Sequence, residues 1–442
     1  MARPSSPLAA AAAAAVAPHH PAASRSLAVS ASDRLERNRR KLDAVSRDFR
    51  TDTLTLPTDE MVEAMRYASR GDDVYGEDED TLELQERVAK MAGKEAALFC
   101  ASGTMTNQLA VRAHLTAPPH SIVLDSRAHI HRSEAGGVAF HSAATTYPVA
   151  AANGHHVAAE EVLGELVAGD DVHGAPTRLV CVENTLSGMI FPQEELLSLR
   201  RALDSLPSGP IPLHCDGARL WEVMAKTGMS LEEACRPFET ASLCLSKGLG
   251  APVGSILVGP KDFIKKVTHL RKLFGGGMRQ TGSLALAASH CLTSVLPQLP
   301  RTHALAARLA SALVAPDIGS ALELPVETNM VWVDSRPAGF SLEEWGKRAW
   351  EEAGVRLYEG WGRVVVHYQV SEEAVDALVE VTRRLAEEKR RERDEWEKEV
   401  GAEEVEEVRR RSEKFARGEW EGERMGKSTK GAYGKGKAKK EA

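Results

Sequence analysis

The chain has 442 residues, 43% of them hydrophobic and 27% charged, with a formal net charge of −7. That profile suits a folded protein with a sizeable core and room for two domains. It argues against nucleic acid as the main partner, and no apolar stretch approaches the ~20 residues that span a membrane.

In chain order, residues 1–32 carry arginine but no acid and are rich in Ala, Ser and Pro, which fits low-complexity sequence or a mitochondrial presequence. We set residues 1–47 apart as this leader. Next, Thr58 is the expected N-cap of a helix through MVEAMRYASR that stops at Gly71. Asp80 and Glu83 have capping-box spacing for LELQERVAKM, which ends at Gly93. Six short apolar runs follow: AALFCA, SIVLDS, RLVCVEN, IPLHCD, ASLCLS and GSILVG. Helical stretches separate most of them, which predicts an α/β large domain over 48–312, a mostly parallel sheet with helices on both faces. Residues 313–386 hold a second set (NMVWVD, SLEEWGKRAWEEAG, RVVVH and SEEAVDALVEVTRRLAEE) that reads as a smaller α+β domain closed by a long helix. From 387 to 442 Glu and Arg alternate with hardly any apolar stripe, predicting a solvated helix followed by a basic disordered tail. Six scattered cysteines without CxxC spacing read as reduced, buried thiols.

Parallel sheets place ligand chemistry at the carboxyl ends of their strands. Here those ends deliver Ser102-Gly103-Thr104, His129 with His131, Glu183-Asn184-Thr185, Asp216 with Arg219, and Lys247. Burial disfavours an ammonium, and a neutral amine condenses with an aldehyde, for which pyridoxal phosphate is the common cofactor. That cofactor needs three things more. Its phosphate takes N–H groups at a helix start, which the SGT loop offers. Its ring nitrogen takes a carboxylate such as Asp216. Its ring face takes a flat partner such as His129. Each element alone is weak: a Lys near Gly is commonly surface, Asp-Gly is a common turn, and HIH lacks a third metal ligand. Together, each at its own strand end, they point to a cofactor site.

The segments DFRTDTLTLPTDEM, GDDVYGEDEDT, GKEAALFCASGTMTNQ, AHIHRSEAGG, ENTLSG, HCDGAR, LSKGLGAPVGS, RKLFGGGMRQTG and TNMVWV resemble the low-specificity L-threonine aldolases. These belong to the fold-type-I, aspartate-aminotransferase-like pyridoxal-phosphate enzymes. The resemblance covers about residues 46–385. It implies a seven-stranded, helix-sandwiched large domain and a smaller C-terminal one. It implies that Lys247 bonds the cofactor aldehyde, Asp216 pairs with the ring nitrogen and His129 stacks on the ring. Ser102, Gly103 and Thr104 would hold the phosphate. Arg219, also a cofactor contact, would join Arg363 and Thr51 in gripping the substrate carboxylate. Tyr75 and Arg279 would reach the site of a neighbouring subunit in a homodimer or homotetramer.

The expected reaction is retro-aldol cleavage of L-threonine or L-allo-threonine to glycine and acetaldehyde. Two alternatives stand beside it: a β-eliminating lyase or aminotransferase on the same fold, and a scaffold built on an inactive core. One departure stands out, because Leu186 follows ENT where many bacterial relatives carry histidine. Leucine moves no proton, so the base is expected to be His129 or a water it holds, His131 being a weaker candidate. A loose threo/erythro preference is the expected consequence. The cytoplasm is the expected compartment, with the mitochondrion as the alternative.

Overall fold

The computed structural model describes residues 30–168 and 172–400, with isolated positions 404, 406–408 and 410. The greater part of the low-complexity leader and the basic tail lie outside the described residues. Residues Ala31–Val45 form a helix with Ser30 at its N-cap, accepting from Asp33 N–H.

Seven strands make the main sheet: β1 (Ala96–Cys100), β2 (Ser121–Asp125), β3 (Thr145–Val149), β4 (Thr177–Glu183), β5 (Leu213–Gly217), β6 (Thr240–Cys244) and β7 (Ser255–Gly259), in the order β1-β7-β6-β5-β4-β2-β3. The six apolar runs are β1, β2, β4, β5, β6 and β7. The seventh, β3, escapes a reading by apolar run, because TTYPV carries a proline and two threonines. An edge position explains this, since a proline there removes no ladder bond from a central pair. Strands β2, β5, β6 and β7 are buried at every residue, as expected of strands covered on both faces.

Pairing is parallel from β3 through β6, whereas β7 runs antiparallel to both β6 and β1. Its direction follows from its connection: residues 245–254 contain no helix, and a short return joins strands antiparallel. Lys247 lies on that return.

The smaller C-terminal region carries a three-stranded antiparallel sheet, β10-β9-β8: β8 (Ala321–Leu322), β9 (Met330–Asp334) and β10 (Arg363–Val365). The N-terminal arm is stitched onto it. Phe49 N–H donates to Arg356 O (2.9 Å), Val365 N–H donates to Phe49 O (2.8 Å), and the Phe49 ring is fully buried among Leu305, Leu309, Val331 and Val364. This holds Thr51 and Asp52 at the junction of the two regions. The closing helix runs Glu372–Val400, without a break at residue 387; its buried positions end at Ala386.

Two local expectations are corrected. The helix capped by Thr58 ends at Tyr67 rather than Gly71. The next helix starts at Glu79, because Asp78 caps it by accepting from Thr81 N–H at 3.0 Å; Asp80 instead accepts from Ser69 N–H at 2.6 Å. Asp78 outcompetes Asp80 because its carboxylate is fully buried and also accepts the Gly282 N–H (2.9 Å). All six cysteines are free and buried. Among the described residues no helix is long and apolar enough to cross a membrane.

Candidate active site

Strand ends β1, β2, β4, β5 and β6 converge on one place. At the centre, Asp216 is 3% exposed; its Oδ1 accepts Ala218 N–H (3.1 Å) and its Oδ2 accepts the Asn107 amide (2.8 Å). Asn107 is itself fixed from behind, its Oδ1 3.2 Å from His214 Nε2. The same Asn107 Nδ2 also donates to Glu134 Oε1 at 2.9 Å, and that oxygen meets His129 Nδ1 at 2.9 Å. Gln108 Nε2 donates to the other Glu134 oxygen at 2.6 Å.

This chain of bonds commits His129 Nδ1 to Glu134 and leaves Nε2 as the free ring nitrogen. The Glu134 bond raises the His129 pKa, burial opposing it and Asp216 assisting. Donor atoms of His129, Glu134 and Asp216 lie within 4.8 Å of one another, but amide and imidazole N–H groups already bridge the facing oxygens.

Glu183, in register with Asp216 on the next strand, accepts the His129 backbone N–H through Oε2 (2.7 Å). Burial first, then the Asp216 charge, lifts its carboxyl to about 7; the His129 N–H and the Lys247 and His129 charges oppose this. Leu186 is buried and shares a small cavity with Glu183, Asp125, His155 and His156. Its side chain has no proton to give there, as expected.

The helix Gly103–His114 starts just past the end of β1 and carries Asn107, the residue that bonds Asp216. Ser102 has a local duty: its hydroxyl is the N-cap, accepting from Met105 N–H at 3.2 Å. The N–H groups of Gly103 and Thr104 have no acceptor within the helix, which suits an anion. Gly103 is required there, because a Cβ would sit 2.5 Å from Cys244 Sγ at the end of β6.

Arg219, expected at the substrate carboxylate, spends two of its N–H groups within the chain. Its Nε and Nη2 donate bidentately to Asp52 (2.7 Å each), and Asp52 is fully buried. Burial alone would raise the Asp52 carboxyl; Arg219, with Lys247 and His367, overrides it and holds the group at about 2. One residue that sequence reasoning missed is Asp52, one position beyond Thr51 in a TDT stretch whose acid carries no periodic signal. Thr51 is buried beside it, its Oγ1 3.2 Å from Thr53 Oγ1.

Arg363 approaches from β10 and rests on the Trp361 ring, its guanidinium carbon 4.5 Å from the centroid, with Tyr358 beyond at 5.6 Å. Its Nη2 donates to Arg50 O (3.4 Å), while Nε is buried without a partner. Burial and the Arg219 charge both lower its pKa. A half-buried guanidinium with an unspent N–H, beside a second cation, fits a carboxylate.

Lys247 is half-buried, and its charge is felt at Asp52, His129 and Glu183. The glycines after it are fitted to protein side chains. A Cβ at Gly248 would lie 2.1 Å from Glu222 Oε1, and one at Gly250 (φ +74°) 2.4 Å from the Tyr368 ring, so both glycines admit protein side chains.

Tyr75 and Arg279 are not brought to this cluster within the chain. They lie side by side on the surface, Asp73 N–H donating to Arg279 O at 3.0 Å, with Tyr75 79% and the Arg279 side chain 76% exposed.

Known proteins share this chain's fold and much of its sequence. The family described as Beta-eliminating lyase matches residues 48–336. The chain is 45% identical over 340 residues to the probable low-specificity L-threonine aldolase of Schizosaccharomyces pombe, covering 77% of this chain and 87% of that one. Among solved structures it resembles a putative L-allo-threonine aldolase of Listeria monocytogenes (TM-score 0.64, 21% identity, 78% and 99% covered). It also resembles a serine palmitoyltransferase of S. paucimobilis with bound PLP (TM-score 0.57, 18% identity, 76% and 86% covered). At such identities these two likenesses speak for the fold, a fold-type-I α/β architecture, and the alignment with the yeast protein is what specifies the branch. The chain belongs to the beta-eliminating lyase family, within its low-specificity L-threonine aldolase branch.

Proposed function

We propose that this chain is a pyridoxal-phosphate-dependent lyase that cleaves L-threonine and L-allo-threonine to glycine and an aldehyde. The observation that carries the reading is that Asp216 on β5, Lys247 after β6 and the Gly103–Thr104 N–H groups after β1 stand at strand ends on the same end of the sheet, with Arg363 Nε buried and unspent near Arg219.

The residues present fit the cofactor. Lys247 would bond its aldehyde, Asp216 its ring nitrogen, and Gly103 and Thr104 its phosphate, with Ser102 shaping that loop; His129 would cover the ring. Bound there, the cofactor supplies a protonated ring that accepts the electron pair of the broken bond. Arg363, with Thr51 and the Asp52-anchored Arg219, holds the substrate carboxylate and thereby sets which bond at Cα faces the ring. His129 Nε2, or a water it holds, takes the β-hydroxyl proton as the Cα–Cβ bond breaks and acetaldehyde leaves; a proton then returned to Cα gives glycine. The Glu134 bond supports this role by keeping the base on the correct nitrogen.

The test is direct: purified protein with L-threonine should release equimolar glycine and acetaldehyde. Pyruvate, ammonia, or turnover only with a keto acid would replace the aldolase reading with the β-lyase or aminotransferase one. Arg363→Leu should cut kcat/KM by roughly 10–10²-fold, the cost of a lost charge-assisted carboxylate contact. Glu183→Gln makes that position permanently uncharged, so an ionisation near pH 7 in the kcat–pH profile should disappear from the variant. A profile identical to wild type would remove Glu183 from the proton bookkeeping.

Tyr75 and Arg279 complete the reading as residues lent to a neighbouring subunit. Their exposure, together with that of the apolar Val74 and Leu273 side chains, supports a homodimer or homotetramer. Mixing inactive Lys247→Ala and Arg279→Ala proteins should restore activity in hybrids, whose one intact site draws Lys247 and Arg279 from different chains. No recovery in demonstrated hybrids would exclude the sharing.

A further inference from the structure

Behind the Lys247 return lies a buried acid that the mechanism above does not use. Glu222 is 1% exposed and sits in the first turn of the helix Leu220–Thr227, with its backbone N–H donating to Arg219 O at 3.0 Å. Its Oε2 meets Nε2 of His303 at 2.7 Å, and His303 is 6% exposed on the helix Leu299–Leu313. Its other oxygen, Oε1, has no hydrogen-bond partner and is pressed against Gly248, where a Cβ would lie only 2.1 Å away. The neighbour in sequence, Trp221, donates its indole N–H to Cys244 O (2.9 Å), the last residue of β6.

One helical turn therefore grips the chain on both sides of Lys247, at Cys244 and at Gly248. Further along the return the Tyr368 ring packs on Gly250, whose N–H donates to Lys247 O at 2.8 Å. The same turn begins at Arg219, which is locked bidentately to Asp52. Burial raises the Glu222 pKa, with His303 opposing and the Asp52 and Arg219 charges within reach.

An unpartnered carboxyl oxygen buried against backbone is costly, and two apolar side chains would fill the space at less expense. We propose that Glu222, backed by His303, is a positioning residue for Lys247: it sets the backbone from which the amine projects and couples that amine rigidly to the Arg219–Asp52 end of the site. This rests on Lys247 being the cofactor-bonding amine.

The test uses the cofactor-loaded enzyme and three readouts: kcat and KM for L-threonine, the midpoint of the pH titration of the visible absorbance band, and Tm. Glu222→Ala should lower kcat by roughly 100-fold, the scale of a ~1 Å misplacement, with KM changed less than twofold and the absorbance midpoint shifted. Glu222→Gln, which keeps the shape and the His303 contact, should recover at least a tenth of wild-type kcat, and it serves if the alanine variant does not fold. Gly248→Ala should lower both kcat and Tm by driving the carboxyl away. In the Gly248→Ala/Glu222→Ala double variant, Tm should recover relative to Gly248→Ala while kcat stays low. A fallen Tm with wild-type kcat per loaded site and an unmoved midpoint would make the dyad merely structural and overturn the proposal. A wild-type protein without a visible band would instead defeat the cofactor reading, and this inference with it.

Discussion

Lys247→Ala should abolish aldol cleavage, with kcat lower by roughly 10⁴–10⁶-fold, the range seen when a covalent catalytic group is removed. The visible absorbance of the loaded protein should vanish with it, and borohydride should no longer fix the cofactor to the chain. The fold should survive, because the Lys247 side chain makes no hydrogen bond or ion pair among the described residues and is half-buried rather than part of a core cluster. Cofactor-free wild type and variant should therefore unfold at similar temperatures. Residual cleavage within tenfold of wild type would show that another amine, or no amine, carries the chemistry.

The second large effect is on stability. Asp52→Ala strands the Arg219 guanidinium, only 12% exposed, without its bidentate partner. Breaking a buried pair from one side costs roughly 3–5 kcal/mol, a large part of a domain's net stability. The same variant releases Arg219 from its fixed orientation, so kcat/KM for threonine should fall as well. A double substitution of Asp52 and Arg219 by apolar residues should recover much of the stability and none of the activity.

The pair also has an acid signature. Asp52 is held at about 2, below the ordinary carboxylate range, so its contribution is complete above about pH 4 and is lost as pH falls toward 2. That contribution is about 2 kcal/mol. Urea midpoints measured from pH 5 down to pH 2 should show a drop in wild type that the Asp52→Ala protein lacks. Parallel pH dependence in both would mean that Asp52 is not the group being titrated.

Much of the site was legible without coordinates because strand-end chemistry follows the chain. Ser102 to Thr104, His129, Asp216 and Lys247 each follow an apolar run, and in a parallel sheet all such ends open on one side. The large sheet was readable for the same reason: fully buried strands are short apolar runs bounded by turns. Where that rule lapses, the reading lapsed too. β3 is an edge strand with a proline. β7 was legible as a run, and its reversal within the mostly parallel sheet follows from a return, residues 245–254, that holds no helix.

What the order of residues alone determined is thus the set of reactive groups and the surface of the sheet they share. Which of those groups is free to act was decided only by tertiary contacts. Arg219 is committed to Asp52 because the N-terminal arm, sewn to β10 through Phe49, carries that acid into the junction. His129 keeps one nitrogen free because Glu134 takes the other, and Gly248 admits the Glu222 carboxyl. Hydrogen bonds and close contacts between residues far apart in the chain leave no periodic trace in sequence. Asp52, Asn107, Glu134 and Glu222 therefore appear only once the fold has brought them to Arg219, Asp216, His129 and Lys247.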